Sequence, residues 1–189
     1  MAKTWMTEYG SLTDGWESPF AADVRRHYEI CDGTHWDRVI QCVRAPGVQA
    51  MAVLRFGQWT LQQPRWARWL VDPLYVVANL YIKVFWGLDL SRYTQIGPGL
   101  YIAHFGGITI SPFAILGRNC NISQSVTIGV AGHGAREGAP VIGNDVYIAP
   151  GARVFGKINI GNNVKIGANA VVYKDIPDNA VVALDPGFK

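Results

Sequence analysis

At 189 residues, with 49% hydrophobic and 16% charged residues, the chain can bury a core and is too apolar for a disordered segment. Its net charge of +3 is small and its Lys and Arg are scattered, which excludes a nucleic-acid footprint. Cys31, Cys42 and Cys120 lack CxxC spacing and leave one thiol over in any disulfide scheme, so reduced thiols and a cytoplasmic location are expected.

Met1 to Phe20 holds Glu8, Asp14 and Glu17 and no apolar h-region, so it does not read as a signal peptide. Helix-like spacing then runs through Ala21–Ile30, Trp36–Val43, Gly47–Gln62 and Arg65–Trp86, with breaks at Pro46, Gly47 and Pro64. The most apolar stretch, Trp69–Trp86, is interrupted by Asp72, Pro73, Asn79 and Lys83, and no membrane span is expected. Packing within an oligomer is the first reading of this segment. The second is peripheral membrane contact through Trp66–Trp86, with Arg65, Arg68 and Lys83 beside the aromatic rings.

Beyond this point the periodicity changes. A branched aliphatic residue returns every six positions as Ile96, Ile102, Ile108, then Ile110, Leu116, Ile122, Ile128, then Ile142, Ile148, Val154, Ile160, Ile166, Val172. A small residue usually follows, and a second inward candidate comes four places on, as at Ala114, Cys120, Val126, Val146, Ala152, Ile158, Val164, Ala170 and Ile176. A period of six suits neither a helix nor an alternating strand. It suits a prism in which each face is one short strand and a tight turn, three hexads making a coil and coils pairing in parallel. The expected fold is therefore mainly β, a left-handed parallel β-helix with an N-terminal α-helical region. Residues 1–88 form the helical region and 89–189 the β-helix domain. Asn119, Asn144, Asn162, Asn163 and Asn169 are read as corner residues with left-handed backbone. The period slips by two between Ile108 and Ile110, and the Gly- and Ala-rich stretch 129–141 reads as an excursion loop.

Chemistry-bearing residues are few. His104, in IAHFGG, stands two places after an inward Ile, so its ring should leave a corner, and Gly106 and Gly107 allow close backbone approach. His133 lies in the excursion loop near Arg136 and Glu137, where solvation is the first reading and substrate contact the second. Two histidines in the repeat half, with no Cys-rich cluster, argue against a metal site. No GxSxG elbow, Walker A loop or strand-following GxGxxG is present.

With the hexads, IGPGLYIAHFGGITI, NISQSVTIG and GANAVVYKDIP taken together, the chain resembles the serine acetyltransferase family over roughly residues 85–177. The resemblance implies a homotrimer or dimer of trimers with acetyl-CoA in a groove between neighbouring prisms. It also implies His104 as catalytic base and Asp89 as its carboxylate partner. Ala149, Pro150, Gly167 and Ala168 would line the coenzyme groove, and Lys165 and Lys174 would meet its phosphates.

The sequence also departs from that family. Ala103 stands where the serine enzymes carry Asp before the histidine, and Gly138, Ala139, Pro140 stand where they carry Arg-His-Pro. The closing Val181–Gly187 run differs too. The expectation is thus kept chemistry with a changed acceptor: an acetyl-CoA-dependent O-acetyltransferase acting on a sugar hydroxyl, for example of an exopolysaccharide precursor. Serine O-acetyltransferase is the alternative, and a non-catalytic β-helix scaffold is the alternative of another class.

Overall fold

The computed structural model describes residues 18–133 and 137–184. Four helices come first: α1 (Pro19–Ile30), α2 (His35–Arg44), α3 (Pro46–Thr60) and α4 (Arg65–Phe85). Local signals set their ends. The Ser18 side chain accepts from the Ala21 N–H to cap α1, and Thr34 with Asp37 forms a capping box on α2. Pro46, expected to break a helix, instead begins α3, where a missing N–H belongs to the unpaired first turn. Pro73 sits inside α4 without ending it. Among the described residues no helix is long and apolar enough to cross a membrane.

The strands build three parallel sheets, each visited once per coil. Sheet A stacks β1 (Leu88–Leu90), β4 (Ile108–Ile110), β7 (Thr127–Gly129), β10 (Arg153–Phe155) and β13 (Val171–Val172). Sheet B stacks β2 (Gln95–Ile96), β5 (Ile115–Leu116), β8 (Val141–Ile142) and β11 (Asn159–Ile160). Sheet C stacks β3 (Tyr101–Ile102), β6 (Asn121–Ile122), β9 (Tyr147–Ile148), β12 (Lys165–Ile166) and β14 (Val181–Val182). This is a parallel β-helix of about five turns, consistent with the left-handed form expected.

Every hexad aliphatic faces the interior, none more than 7% exposed, and Ala114, Cys120, Val126, Ala152 and Val164 fill the space between them. The glycine after each sheet B aliphatic (Gly97, Gly117, Gly143 and Gly161) has a cause beyond the bend itself. A Cβ on Gly117 would lie 2.6 Å from the Gly143 carbonyl of the next coil. Close coil stacking therefore excludes a side chain there. The asparagine reading holds in part. Asn119, Asn163 and Asn169 adopt positive φ, whereas at the other two corners the neighbours Asp145 and Asn163 do so. Asn144 and Asn162 instead make side-chain rungs between coils: Asn144 Oδ1 accepts from the Arg118 N–H and Asn162 Oδ1 from the Asn144 N–H.

The helices close the first coil. Met51, Leu54 and Ile82 join the prism core beside Leu88, Ile102 and Ile108. Arg55 donates to the Ile96 and Gly97 carbonyls at 2.8 Å each, and Arg26 donates to the Gly99 carbonyl. Asp23, 1% exposed, holds Arg55 at 2.9 Å and accepts from the Leu100 N–H at 2.9 Å. Burial pushes the Asp23 carboxyl above its usual range, although Arg55 and the Leu100 N–H pull it back.

His27, 6% exposed, packs its ring 4.5 Å from that of Tyr101, and its Nδ1 has no hydrogen-bond partner. Burial pushes its pKa from 6.5 down to about 4. The folded state therefore resists a proton that the unfolded chain accepts. Stability from this residue is complete above pH 6.5 and is lost as pH falls towards about 4, by up to roughly 3 kcal/mol. Denaturant titrations across this window are expected to show that acid-side slope, and His27→Phe is expected to flatten it.

Candidate active site

His104 stands in the corner joining β3 to β4, and the register shows why this corner differs from those above it. Leu88 and its partner Ile108 are 20 residues apart, as are Tyr101 and Asn121, whereas Thr109 and Thr127 are 18 apart. The extra residues thus fall between Tyr101 and Thr109. The slip read from the sequence is this enlarged corner, which carries Ala103, His104, Phe105, Gly106 and Gly107. His104 is exposed, as expected of a ring leaving the prism. Gly106 and Gly107 have φ of +101° and +67°, and a Cβ on Gly106 would meet nothing within 4 Å. The backbone there is open to a ligand.

The end of α4 abuts this turn. The Trp86 ring lies 5.0 Å from that of Phe105, edge to face, and the Ile108 N–H donates to the Gly87 carbonyl. Asp89 follows on β1, in register with Thr109. Its partner in this structure is on α4. Asp89 Oδ2 lies 2.9 Å from Lys83 Nζ, and among the described residues no hydrogen bond joins Asp89 to His104. One turn of α4 projects Lys83 to the carboxylate first.

The expected groove residues divide between two corners. The corners that follow sheet C strands stack in one column, linked by Ser125 N–H to Gly106 carbonyl (2.8 Å), Gly151 N–H to Gln124 carbonyl (3.0 Å) and Asn169 N–H to Pro150 carbonyl (2.9 Å). Ala149, Pro150, Gly167 and Ala168 therefore stand in the same column as His104, and exposed Lys165 sits on β12 just before it. Lys174 does not belong to this column. It follows β13, at the far edge of sheet A, with its ammonium 5.6 Å from the Tyr173 ring centroid. The excursion loop leaves from the same column of corners, following β7 in the middle of sheet A, and is pinned by a bridge between Ala131 and Gly138. A cleft of about 360 Å³ opens there between Ala131, Phe155, Lys157 and Tyr173. His133 is exposed in the loop, and Arg136 lies outside the described residues.

Gln124, Ser125 and Arg153 in the column were not singled out from the sequence. Gln124 Oε1 is buried without a partner, Ser125 has φ of +59°, and Arg153 donates to the Ser125 carbonyl. The available signal was a serine at a corner position that elsewhere carries Gly or Asn. Among the described residues no group of three His, Cys, Asp or Glu side chains stands close enough to hold a metal ion.

Residues 139–174 match the family model for the bacterial transferase hexapeptide (six repeats). Over 142 residues the chain is 36% identical to the serine acetyltransferase of Synechococcus elongatus, covering 75% of this chain and 56% of that protein. Among solved structures it is similar to a Neisseria gonorrhoeae serine acetyltransferase in complex with serine, with 26% identity, a TM-score of 0.72 and coverage of 95% and 68%. It is also similar to a serine acetyltransferase in complex with CoA, with 25% identity, a TM-score of 0.68 and coverage of 96% and 70%. The chain spans little more than half the length of that first curated relative.

Lys83 and Asp89 are each nearly half exposed, so their ion pair adds at most about 1 kcal/mol to stability. Lys83→Met is expected to leave the thermal unfolding curve almost unmoved while freeing the Asp89 carboxylate. A large drop in stability would show that the pair is part of the packing between α4 and the prism.

Proposed function

We propose that the chain is an acetyl-CoA-dependent O-acetyltransferase with His104 as its general base. The observation that carries this reading is the enlarged corner itself. It exposes His104 at the foot of a column of small residues, next to two glycines whose backbone is uncovered. A neutral imidazole there takes the proton of the acceptor hydroxyl while its oxygen attacks the thioester carbonyl. The tetrahedral oxyanion collapses, the C–S bond breaks, and the imidazolium returns its proton to the departing CoA thiolate. Backbone N–H groups near Gly106 would serve the oxyanion, and Asp89 would hold the imidazole in one tautomer. Asp89 must exchange Lys83 for His104 to do so.

Ala149, Pro150, Gly167 and Ala168, being small, would let the coenzyme lie along the column, and Lys165 would face its phosphates. Lys174 fits this role less well, since it stands at the other edge of sheet A. The column is open on its outer side in a single chain, which supports a trimer whose neighbour completes the groove, or a dimer of trimers. Sedimentation of an active protein at the mass of a single chain would overturn that assembly.

For the acceptor, similarity to serine acetyltransferases, one of them solved with serine, supports L-serine better than the sugar expected from sequence. One observation keeps the sugar as a second reading. Ala103 is exposed beside His104 and Ala139 packs against the core, so neither position offers a charge to an amino acid. Two absent charge-assisted hydrogen bonds would cost roughly a hundred-fold in serine affinity.

Thiol release from saturating acetyl-CoA, with L-serine compared against a panel of sugars and oligosaccharides, separates these readings. Serine turnover above every sugar is expected from the comparisons. A sugar turned over in preference to serine would establish the second reading, and no release with any acceptor would sink the enzyme. His104→Ala is expected to lower kcat by about two to four orders of magnitude with the fold intact. Asp89→Asn is expected to lower it by the same amount or less, and near-normal turnover in His104→Ala would refute the assigned base.

A further inference from the structure

The outer face of α4 carries more exposed apolar surface than packing of the described chain explains. Trp66, Trp69, Leu70, Val77, Leu80 and Val84 recur at helical spacing and are each 58–80% exposed, while Tyr75 and Ile82 on the opposite side are buried. No charged residue falls among them. From Trp66 to Val84 this strip runs for about 27 Å of the 21-residue helix. Two cations lie along its edge, Arg65 in the first turn and Lys83 in the last, while Arg68 sits on the other side against Asp72. Arg65 and Lys83 are separated by about five full turns and so lie on the same side. The one acid of the helix, Asp72, is held by Arg92 at 2.6 Å and Arg68 at 3.3 Å. A concavity of about 610 Å³ beside Arg65, Arg68, Trp69 and Val76 opens on this face, away from His104.

We propose that α4 lies along an anionic membrane surface, its apolar strip among the upper acyl chains and its edge cations at the headgroups. A charge-free strip with indole and phenol rings at its ends and cations on its rim is the pattern of an in-plane helix. Charge complementarity favours lipid over a second copy of this chain. Two copies sharing the strip would set Arg65 against Arg65 or against Lys83, with no free acid on the face to meet either. In this structure Lys83 is paired with Asp89 and Arg68 with Asp72, so Arg65 supplies most of the attraction to headgroups. The face is also continuous with the candidate site. The Tyr81 ring lies 6.2 Å from Trp86, and Trp86 lies 5.0 Å from Phe105 in the His104 turn. A helix docked in this way presents that turn beside the headgroups, where a lipid-borne hydroxyl would reach it.

Flotation of the full-length protein with vesicles of phosphatidylglycerol and phosphatidylcholine, against phosphatidylcholine alone, tests the proposal without any acetyl-transfer readout. The wild type is expected to float with the anionic vesicles and to release at high salt. Leu70→Glu with Val77→Glu, both at exposed positions, is expected to cut the bound fraction at least about tenfold while leaving the melting curve unchanged. Failure of the wild type to float, or equal flotation of the double variant, overturns it. If the wild type stays at the bottom and the double variant alone loses sedimentation mass, the strip is a contact between copies and the proposal is likewise overturned.

Discussion

Close parallel stacking of one coil on the next is the constraint on which the rest of this molecule depends. Strands two or three residues long make too few hydrogen bonds to stand alone, so each coil is stable only against its neighbours. In the corners after the sheet B strands that spacing leaves room for a Gly and no room for a Cβ, as Gly117 against the Gly143 carbonyl shows. It also aligns the corners, so that Asn144 and Asn162 can bond the backbone of the coil before them. A corner residue is thus chosen by the coil next to it as much as by its own turn.

Stacking creates a problem at the first coil, whose outer edge has no neighbour to pair with. Arg55 and Arg26 supply donors to the Ile96, Gly97 and Gly99 carbonyls that another coil would otherwise satisfy. A guanidinium in this position needs a counter-charge, and Asp23 provides it while accepting from Leu100. The ionic cluster is costly to desolvate, but losing either partner would strand the other in a buried site. The helical region is therefore the lid of the prism, with Met51, Leu54 and Ile82 extending its core.

The candidate site arises where the stacking rule is locally relaxed. The two extra residues fall in the corner between β3 and β4, and His104 is exposed there. The same lid that closes the prism delivers Trp86 to this corner, because α4 runs straight into β1. Helix and corner are one mechanical unit, joined by the Trp86–Phe105 contact.

Much of this was legible in the sequence because the hexad aliphatics obey a single local rule: each must fill a narrow interior, and only Ile, Leu or Val of suitable shape recurs. Helix ends were legible within two residues from the apolar spacing and the breaks around Pro46 and Pro64, although Pro46 begins a helix and does not end one. The slip at Ile108–Ile110 was visible as a break in period, but its meaning as an enlarged corner needed the strand register. Tertiary structure alone decided which column each groove residue joins, separating Lys174 from Ala168, since that depends on which sheet edge a strand leaves. It also decided that Asp89 meets Lys83, a contact between a helix turn and a strand that no periodicity encodes. The exposure of Trp66, Trp69 and Leu70 was likewise hidden, because an apolar helix reads the same whether its face is covered or bare. Pattern in sequence fixes what a local backbone must do, and the partner of a side chain is fixed only when distant segments meet.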